Sequence, residues 1–281
     1  MQITEGPHFS CTQLITYLQC PLQYYYQYVL KLDWVKVPAS YAFGSCMHKA
    51  IEAANLGLMN GGCKSSEIAD IFFTHWEKEA TKVQWDDELE KDALQTKGRM
   101  LTELYCATAK EYKPTEVELP FRLQIMDHDI NVLGDRDFVG RIDAIFTGDT
   151  IIEIKTSGRS LTQQEVNQNL QLTLYSWVYN KLYGQPEKGI RVINLVKTKT
   201  PKLTTLDTVR TERDHSWALA IVTQVIKAID NEIFYPNPIG GYGCSSCPYR
   251  QHCLTDDDSE YNFINRLASE QPFQTPLTIL S

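Results

Sequence analysis

The chain has 281 residues, of which 43% are hydrophobic and 22% are charged, a balance typical of a globular protein with a sizeable core. Its 27 basic and 35 acidic residues give a formal net charge of −8, which argues against a protein that binds polyanions through bulk charge alone. The sequence lacks both the roughly 20 consecutive apolar residues of a membrane span and the layout of a signal peptide at its N-terminus. We therefore expect a cytoplasmic protein that does not bind membranes.

The first third of the chain has helical periodicity. Residues 10–30 carry apolar and aromatic side chains at three-to-four spacing, although Pro21 is expected to break or restart this helix. The tyrosines of this segment could stack on bases, but aromatic side chains at helical spacing are more often buried, and we favour a core role. Three further helices are predicted at 44–58, 66–82 and 88–112.

After Pro114 the pattern becomes that of a sheet. Four short apolar runs separated by Gly and Asp turns predict an antiparallel meander. A long helix is then predicted at 162–183, ending at Gly184, and the β-branched run IRVINLVKT predicts a buried strand. A last helix is expected to begin at a capping box formed by Thr211 and Asp214. The four runs of the meander are TEVELPFRLQI, HDINVLG, FVGRIDAIFTG and DTIIEIKTS.

This order of elements predicts a mixed α/β fold with a central sheet, not a uniform alternation of strand and helix. We expect one structural domain with four parts. An N-terminal helical region (1–113) precedes the core (114–200). A C-terminal helix with a cysteine-rich segment (201–255) and an acidic tail (256–281) follow.

Three charged residues give the strongest chemical signal. Asp143 lies in one predicted strand, and Glu153 and Lys155 share a face of the next strand because strand side chains alternate. Two carboxylates and a backbone carbonyl suit Mg²⁺ or Mn²⁺, and a nearby lysine can position or help deprotonate an attacking water. Alternating charges on a surface strand are the alternative, but a charge at Asp143 is unfavourable in an apolar strand unless it has a role.

The cysteines suggest a second site. Cys244, Cys247 and Cys253 have the spacing C-x2-C-x5-C, and cysteine clusters of cytosolic proteins more often hold metal than form disulfides. Three thiolates are one short of a closed tetrahedral site, so either a fourth ligand lies far away in sequence or these are ordinary thiols. Four other cysteines are scattered singly, and we interpret them as partly buried apolar residues. They are Cys11, Cys46, Cys63 and Cys106.

Asp143 followed by Glu153-Ile154-Lys155 resembles the core of the PD-(D/E)xK nucleases. Ile142 stands where the superfamily name has proline, a substitution that the RecB-like branch commonly shows. The resemblance implies a restriction-endonuclease-like core with a central mixed sheet flanked by helices. It also implies that Asp143, Glu153 and the Ile154 carbonyl bind the catalytic Mg²⁺ or Mn²⁺ and that Lys155 positions the nucleophilic water.

Flanking segments resemble the RecB-like branch in particular. GSCMHKAIE is similar to its helical G-x-x-x-H motif, which implies that His48 is a further metal ligand. QLTLY matches its Q-x-x-x-Y motif, which implies that Gln171 and Tyr175, on one helix face, orient the substrate. Glu118 falls where some members carry an additional acidic residue, and Glu118 and Arg141 are secondary candidates.

The cysteines resemble those of the iron-sulfur members of this branch. FSCTQLITYLQCPLQYYYQY is similar to their N-terminal S-x-x-x-L-x-x-Y-x-x-C-P-x-x-Y segment, which implies Cys20 as the fourth ligand. The resemblance implies a 4Fe-4S cluster, whereas spacing alone also permits zinc. The matches run from Ser10 to Cys253 in the family's order. The implied ligands are Cys20, Cys244, Cys247 and Cys253.

The resemblance implies a metal-dependent DNA nuclease, an exonuclease acting on single strands or frayed ends. Its settings in the family are recombination and repair, as in helicase–nuclease complexes, and spacer acquisition by CRISPR-associated relatives. The sequence contains no Walker A motif, so a helicase activity would come from a partner protein, and an integrase is the other expected partner. The alternative is a noncatalytic module that binds DNA ends or proteins, which the intact His, Asp, Glu and Lys set argues against.

Overall fold

The computed structural model describes residues 6–34, 37–85, 87–126, 132–238, 244 and 247–254. The predicted tail at 256–281 and the start of the predicted strand HDINVLG lie outside these residues. In the described part of the chain a six-stranded mixed sheet has helices packed on both faces, which confirms the predicted mixed α/β fold.

The strands begin near the N-terminus and resume after the helical region. They are β1 (His8–Phe9), β2 (Pro114–Met126), β3 (Val132–Phe146), β4 (Thr150–Ser157), β5 (Gly189–Val196) and β6 (Lys202–Thr208).

The helices fall into an N-terminal group and a group that follows β4. They are α1 (Cys11–Gln19), α2 (Pro21–Tyr24), α3 (Ala39–Met59), α4 (Ser65–Glu79), α5 (Glu88–Thr108), α6 (Gln163–Asn167), α7 (Leu170–Tyr183), α8 (Glu212–Asp230) and α9 (Arg250–Leu254). A π-helical segment (Tyr25–Val29) follows α2, and 3-10 turns (Ala80–Lys82 and Ala109–Glu111) extend α4 and α5.

The strand order is β1-β3-β4-β5-β6, with β2 paired to β3. Strands β2, β3 and β4 form the predicted antiparallel meander, while β4 and β5 run parallel and β6 returns antiparallel. The prediction of two separate strands within HDINVLG and FVGRIDAIFTG is wrong, because β3 is continuous from Val132 to Phe146. Strand β6 was not predicted, since its partly exposed sequence KLTTLDT lacks a buried apolar run.

Each face of the sheet covers its own core. On one face, strand residues such as Ile151 pack with α1, α7 and α8. On the other, Ile152 and Ile154 pack with α3, α4 and α5. Because successive side chains of a strand point to opposite faces, β4 contributes to both cores and is buried at the centre of the molecule.

Local capping explains where most helices begin and end. Pro21 separates α1 from α2 as predicted, and the capping box of Thr211 begins α8. Gly184, at a φ of 68°, ends α7. The single helix predicted at 162–183 is wrong: Asn169 adopts an extended conformation and its side chain accepts a hydrogen bond from the Leu172 N–H, which starts α7 separately from α6.

Two expectations about tyrosines and cysteines have different outcomes. Tyr24 and Tyr26 are buried, as expected for core residues. Cys63 and Cys106, interpreted as single cysteines, are instead paired in a disulfide that links the end of the α3–α4 connection to α5, with their Cα atoms 6.0 Å apart. Their separation of 43 residues gives no sequence signal of the pairing. Over the described ranges, the helices include none with the length and apolar character needed to cross a bilayer.

Candidate active site

The candidate site lies at a fork between β3 and β4. These strands pair only from Ala144 to Phe146 of β3, opposite Ile152 to Thr150 of β4, over the part of the chain that the structure describes. Immediately before the paired segment, the Asp143 carboxylate accepts a hydrogen bond from the Ile154 N–H through Oδ2, at 2.7 Å. The Asp143 carboxylate thus accepts the hydrogen bond that a backbone carbonyl of a paired strand would otherwise accept from the Ile154 N–H.

Glu118 reaches the fork from β2. The β2–β3 register pairs Val117 with Ala144 and Leu119 with Ile142, which places Glu118 opposite Asp143. Glu118 has a φ of 50°, in the left-handed region that a glutamate rarely adopts. Such strained backbone persists only where the surrounding structure holds it in place, and it is concentrated at functional sites.

Helix α3 supplies His48 from the other side of the fork. A Cβ atom at Gly44 would lie 3.3 Å from the Thr156 Oγ1 atom, so the glycine permits close packing of α3 on β4. One turn further along α3, the His48 Nδ1 atom lies 3.6 Å from the Asp143 Oδ1 atom. The glycine of the G-x-x-x-H motif therefore has a packing role that places the histidine.

His48, Glu118 and Asp143 form a group of possible metal ligands whose donor atoms all lie within 4.8 Å of one another. An octahedral Mg²⁺ holds its ligands at 2.0–2.1 Å, so opposite donors lie about 4.2 Å apart, and the group fits such an ion. The three residues line a cleft of about 480 Å³ that also includes Lys49 and Tyr41. The cleft has room for the waters and phosphate that Mg²⁺ prefers to keep.

Glu153 and Lys155 lie beside this group and are linked to α7. The Lys155 Nζ atom lies 2.6 Å from the Glu153 Oε1 atom and donates to the Gln171 Oε1 atom at 2.8 Å. The Gln171 amide in turn donates to the Tyr175 hydroxyl at 3.0 Å. The structure thus brings the predicted glutamine and tyrosine to the lysine.

Glu153 is not one of the three grouped ligands. Its side chain is buried, with a residue exposure of 1%, and its Oε2 atom has no hydrogen-bond partner. A buried carboxylate oxygen without a partner is unfavourable unless water or an ion satisfies it. This fits the expectation that Glu153 faces a cation or its hydration shell.

Burial and neighbouring charges determine the protonation of the site. Burial and the charge of Glu153 raise the pKa of Asp143 well above its usual range. Burial lowers the pKa of His48, which favours the neutral form that binds metals. Burial lowers the pKa of Lys155, but the charge and hydrogen bond of Glu153 together with the charge of Asp143 oppose it, and the net shift is upward. A charged Lys155 is suited to holding a water or phosphate and not to removing a proton.

The secondary candidates and one unpredicted residue adjoin the site. An Arg141 nitrogen lies 3.8 Å from a Glu118 oxygen, so Arg141 is a neighbour of the ligand group. Cys11, interpreted as a core residue, is buried and electrostatically coupled to Glu153 and Lys155. No sequence signal marks this proximity, because it arises from the packing of α1 against the sheet.

The four cysteines implied as cluster ligands come from opposite ends of the described chain and lie together in the structure. Tyr26 and Tyr249 are buried in the small apolar cluster beside them. The four sulfur atoms do not form a group with all donors within 4.8 Å. Four thiolates are a ligand set of structural zinc and of iron-sulfur clusters alike. The cysteines lining this one pocket are Cys20, Cys244, Cys247 and Cys253.

The sequence matches the family profile described as the PD-(D/E)XK nuclease superfamily over residues 8–254, a range that includes every residue of the fork. The chain belongs to the PD-(D/E)XK nuclease superfamily. No curated protein matches this superfamily member in sequence.

Two solved structures resemble this PD-(D/E)XK protein. One, described as a "Putative exonuclease" from Eubacterium rectale, is 11% identical with a TM-score of 0.56, and the match covers 94% of each chain. The other, the protein SSO0001, is 14% identical with a TM-score of 0.45, covering 89% of this chain and 87% of the other. At this identity the first match establishes a shared fold and extends it over nearly the whole chain.

Proposed function

We propose that this protein is a metal-dependent deoxyribonuclease of the RecB-like branch, acting as an exonuclease that prefers single-stranded DNA. The observation that carries the proposal is the convergence of His48, Glu118 and Asp143 at the fork, next to the linked pair Glu153 and Lys155. The superfamily is one of nucleases that require divalent cations. The net charge of −8 does not oppose DNA binding here, because several of the counted carboxylates are those that would bind the cation.

Each residue of the fork has a role that follows from its position. His48, Glu118 and Asp143 would hold Mg²⁺ or Mn²⁺, with Glu153 and the Ile154 carbonyl as further ligands. The bound cation would lower the pKa of a water and neutralise charge on the phosphate. Lys155, kept charged by Glu153 and held by Gln171, positions the attacking water or the phosphate oxygen. Tyr175 holds the Gln171 amide and so fixes the lysine.

The finer parts of the proposal rest on resemblance to known proteins. The exonuclease mode is supported by the printed name of the Eubacterium rectale protein and by the sequence resemblance. The same resemblance supports a role in recombination and repair or in CRISPR spacer acquisition. A helicase or an integrase would then be the protein partner.

We also propose that Cys20, Cys244, Cys247 and Cys253 hold a 4Fe-4S cluster. The four thiols line one pocket, which brings together cysteines from both ends of the described chain. A 4Fe-4S cluster takes four thiolate ligands, and the sequence resemblance favours it over zinc. In this position it would join the first helices to the C-terminal segment.

The nuclease activity is tested with labelled linear and circular single-stranded DNA and Mn²⁺, using anaerobically prepared protein. We expect the wild type to degrade the linear DNA and to spare the circle. Lys155→Ala should lower the rate by about 10²–10³-fold, the usual loss when one charge-stabilising group is removed. Lys199→Ala, at an exposed lysine of the β5–β6 turn, is the matched control and should leave the rate unchanged.

The results that would contradict the proposal do so in different ways. No hydrolysis by the wild type, or equal hydrolysis by Lys155→Ala, removes the enzyme assignment. DNA binding without hydrolysis would favour the noncatalytic module instead. Degradation of the circular DNA would support a nuclease but would exclude one that requires a DNA end.

A further inference from the structure

An exposed aromatic side chain shares the cleft with the possible metal ligands. Tyr41, in the first turn of α3, is 57% exposed and lines the cleft together with His48, Glu118 and Asp143. Tyr41, Ser45 and His48 stand at i, i+4 and i+7, on one stripe of the helix. At a rise of 1.5 Å per residue, Tyr41 and His48 are about 10 Å apart along α3. One wall of the cleft therefore presents both an aromatic ring and a metal ligand.

The Tyr41 ring is held in place from behind. Its centroid lies 4.7 Å from that of Trp34, with the rings at 72° in an edge-to-face arrangement. Trp34 packs against the small apolar cluster that contains Tyr249, whose hydroxyl donates to the Leu32 carbonyl at 3.0 Å. Tyr249 is buried, so this support is anchored in the core of the cysteine-rich segment. The contact with Trp34 thus supports the exposed Tyr41 ring from behind.

Other aromatic residues of the site are unable to present a free ring to the cleft. Tyr175 is only 6% exposed and its hydroxyl accepts a hydrogen bond from Gln171. Tyr24 and Tyr26, for which base stacking was the less favoured interpretation of the sequence, are buried in the core. Of the described residues that line the cleft, Tyr41 is the one that carries a large, open aromatic ring.

We propose that Tyr41 stacks on a base of the substrate strand and thereby selects unpaired DNA. Stacked nucleotides of one strand are about 3.4 Å apart, so a base on Tyr41 would lie about three nucleotides from the phosphate at His48. A duplex base has both faces covered by its neighbours and is not free to stack on the ring. Stacking tolerates any base, as a degrading enzyme requires, and it adds affinity that does not depend on basic residues. The inference rests on the proposed nuclease function and identifies how the same site holds its strand.

The test measures binding of fluorescein-labelled oligothymidylate by anisotropy, with Ca²⁺ replacing Mn²⁺ to suppress hydrolysis. Stacking of one base on an aromatic side chain is worth about 5- to 150-fold in affinity, and Tyr41→Ala should weaken binding by a factor in this range. Tyr41→Phe keeps the ring and should bind within about twofold of the wild type. Tyr183→Ala is the matched control, because Tyr183 is also exposed and packs on another ring, that of Tyr179, but does not line the cleft.

A second measurement locates the stacked base. Oligonucleotides with a single abasic site, moved one position at a time, should show one position that reproduces the loss seen with Tyr41→Ala. At that position the abasic site and the variant should not weaken binding further when combined. Thermal unfolding of Tyr41→Ala should match the wild type, since the side chain is mostly exposed.

The possible outcomes separate this inference from the proposed function. The stacking role is wrong if the wild type hydrolyses single-stranded DNA but Tyr41→Ala binds that DNA as tightly as the wild type. It is also wrong if Tyr183→Ala loses as much affinity as Tyr41→Ala. In both cases the proposed nuclease function remains. If Tyr41→Phe loses as much as Tyr41→Ala, the hydroxyl and not the ring makes the contact, and the stacking role is again wrong. If the wild type neither hydrolyses nor binds the DNA, both proposals fail.

Discussion

Asp143 connects the two halves of the candidate site. One carboxylate oxygen faces His48 and the other accepts the Ile154 N–H, so the residue joins α3 to β4. The sequence predicted Asp143, Glu153 and Lys155 as a unit, because an acidic residue in an apolar strand and a charged pair on the next strand are visible as patterns. Glu118 could only be ranked below them, since its importance depends on a left-handed φ and a strand register that the sequence does not show.

Asp143→Asn should stabilise the metal-free protein. A carboxyl whose folded pKa is raised stabilises the fold below its unfolded pKa of about 3.9, and this contribution is lost as the pH rises through the raised value. Asparagine stays neutral and its oxygen can accept the same Ile154 N–H. The variant should therefore have a higher Tm than the wild type at pH 8. The increase should be about 2–4 °C for each kcal/mol gained in the free energy of unfolding, and it should shrink toward pH 4.

Mn²⁺ should reverse this order. It raises the Tm of the wild type by binding the folded state, and Asp143→Asn should lose most of that increase. Asp70→Asn, on the exposed face of α4, is the control and should respond to Mn²⁺ like the wild type. Two results would contradict this account. If metal-free Asp143→Asn is less stable than the wild type at pH 8, the ionised Asp143 does not destabilise the metal-free fold. If both proteins respond equally to Mn²⁺, Asp143 does not bind the cation.

At the scale of elements, the site depends on how α3 packs on the end of β4. The helix and the meander were predicted from periodicity, but the fork was not, because nothing in the sequence shows where β3 and β4 stop pairing. The break before α7 was also missed, although Gln171, which accepts the hydrogen bond from Lys155, lies in the first turn after it. These features arise from tertiary contacts that override the local pattern.

Gly44→Ala should reduce activity more than stability. The added Cβ would lie 3.3 Å from the Thr156 Oγ1 atom, so Thr156 and α3 must move apart by a few tenths of an ångström, and we expect α3 to move and to displace His48. A displacement of about 1 Å can lower a rate 10²-fold, and this smaller one should lower kcat/KM by about 3- to 10-fold. The Tm should change little, because alanine favours a helix over glycine by about 1 kcal/mol and offsets the contact.

A second substitution checks the cause of this loss. Thr156→Ala removes the Oγ1 atom, so the double variant should regain most of the activity lost in Gly44→Ala. Thr156→Ala alone is the reference for the double variant. If the double variant is as impaired as Gly44→Ala, the close approach of α3 to β4 is not what places His48.

At the scale of the whole molecule, the two ends of the described chain pack together. The Tyr17 hydroxyl donates to the Ile233 carbonyl at 2.6 Å, and the Leu22 N–H donates to the Tyr235 carbonyl at 3.0 Å. The sequence identified this proximity only through the resemblance that assigns Cys20 to the C-terminal cysteines. Cysteine spacing within one segment does not indicate a partner more than 200 residues away. The Cys63–Cys106 pair likewise has no signal in the sequence, although only 43 residues separate the two cysteines.

Cys20→Ser and Cys247→Ser should have the same effect. Each would remove one ligand of the proposed cluster, so both should lose iron and the broad visible absorbance that bleaches on reduction, together with much of the Tm. Cys11→Ser, nine residues before Cys20, should retain iron because Cys11 packs in the main core. A colourless wild type containing zinc would contradict the cluster, and loss of iron in Cys11→Ser alone would contradict the choice of ligand.

The central claim is that the fork between β3 and β4 binds the catalytic cation. It is tested most directly by anomalous diffraction from crystals soaked in MnCl₂. We expect a manganese peak within about 2.0–2.3 Å of donor atoms of His48, Glu118 and Asp143, and no such peak in Asp143→Asn crystals. A wild-type crystal with no manganese at the fork, or with manganese bound only elsewhere, would contradict the account.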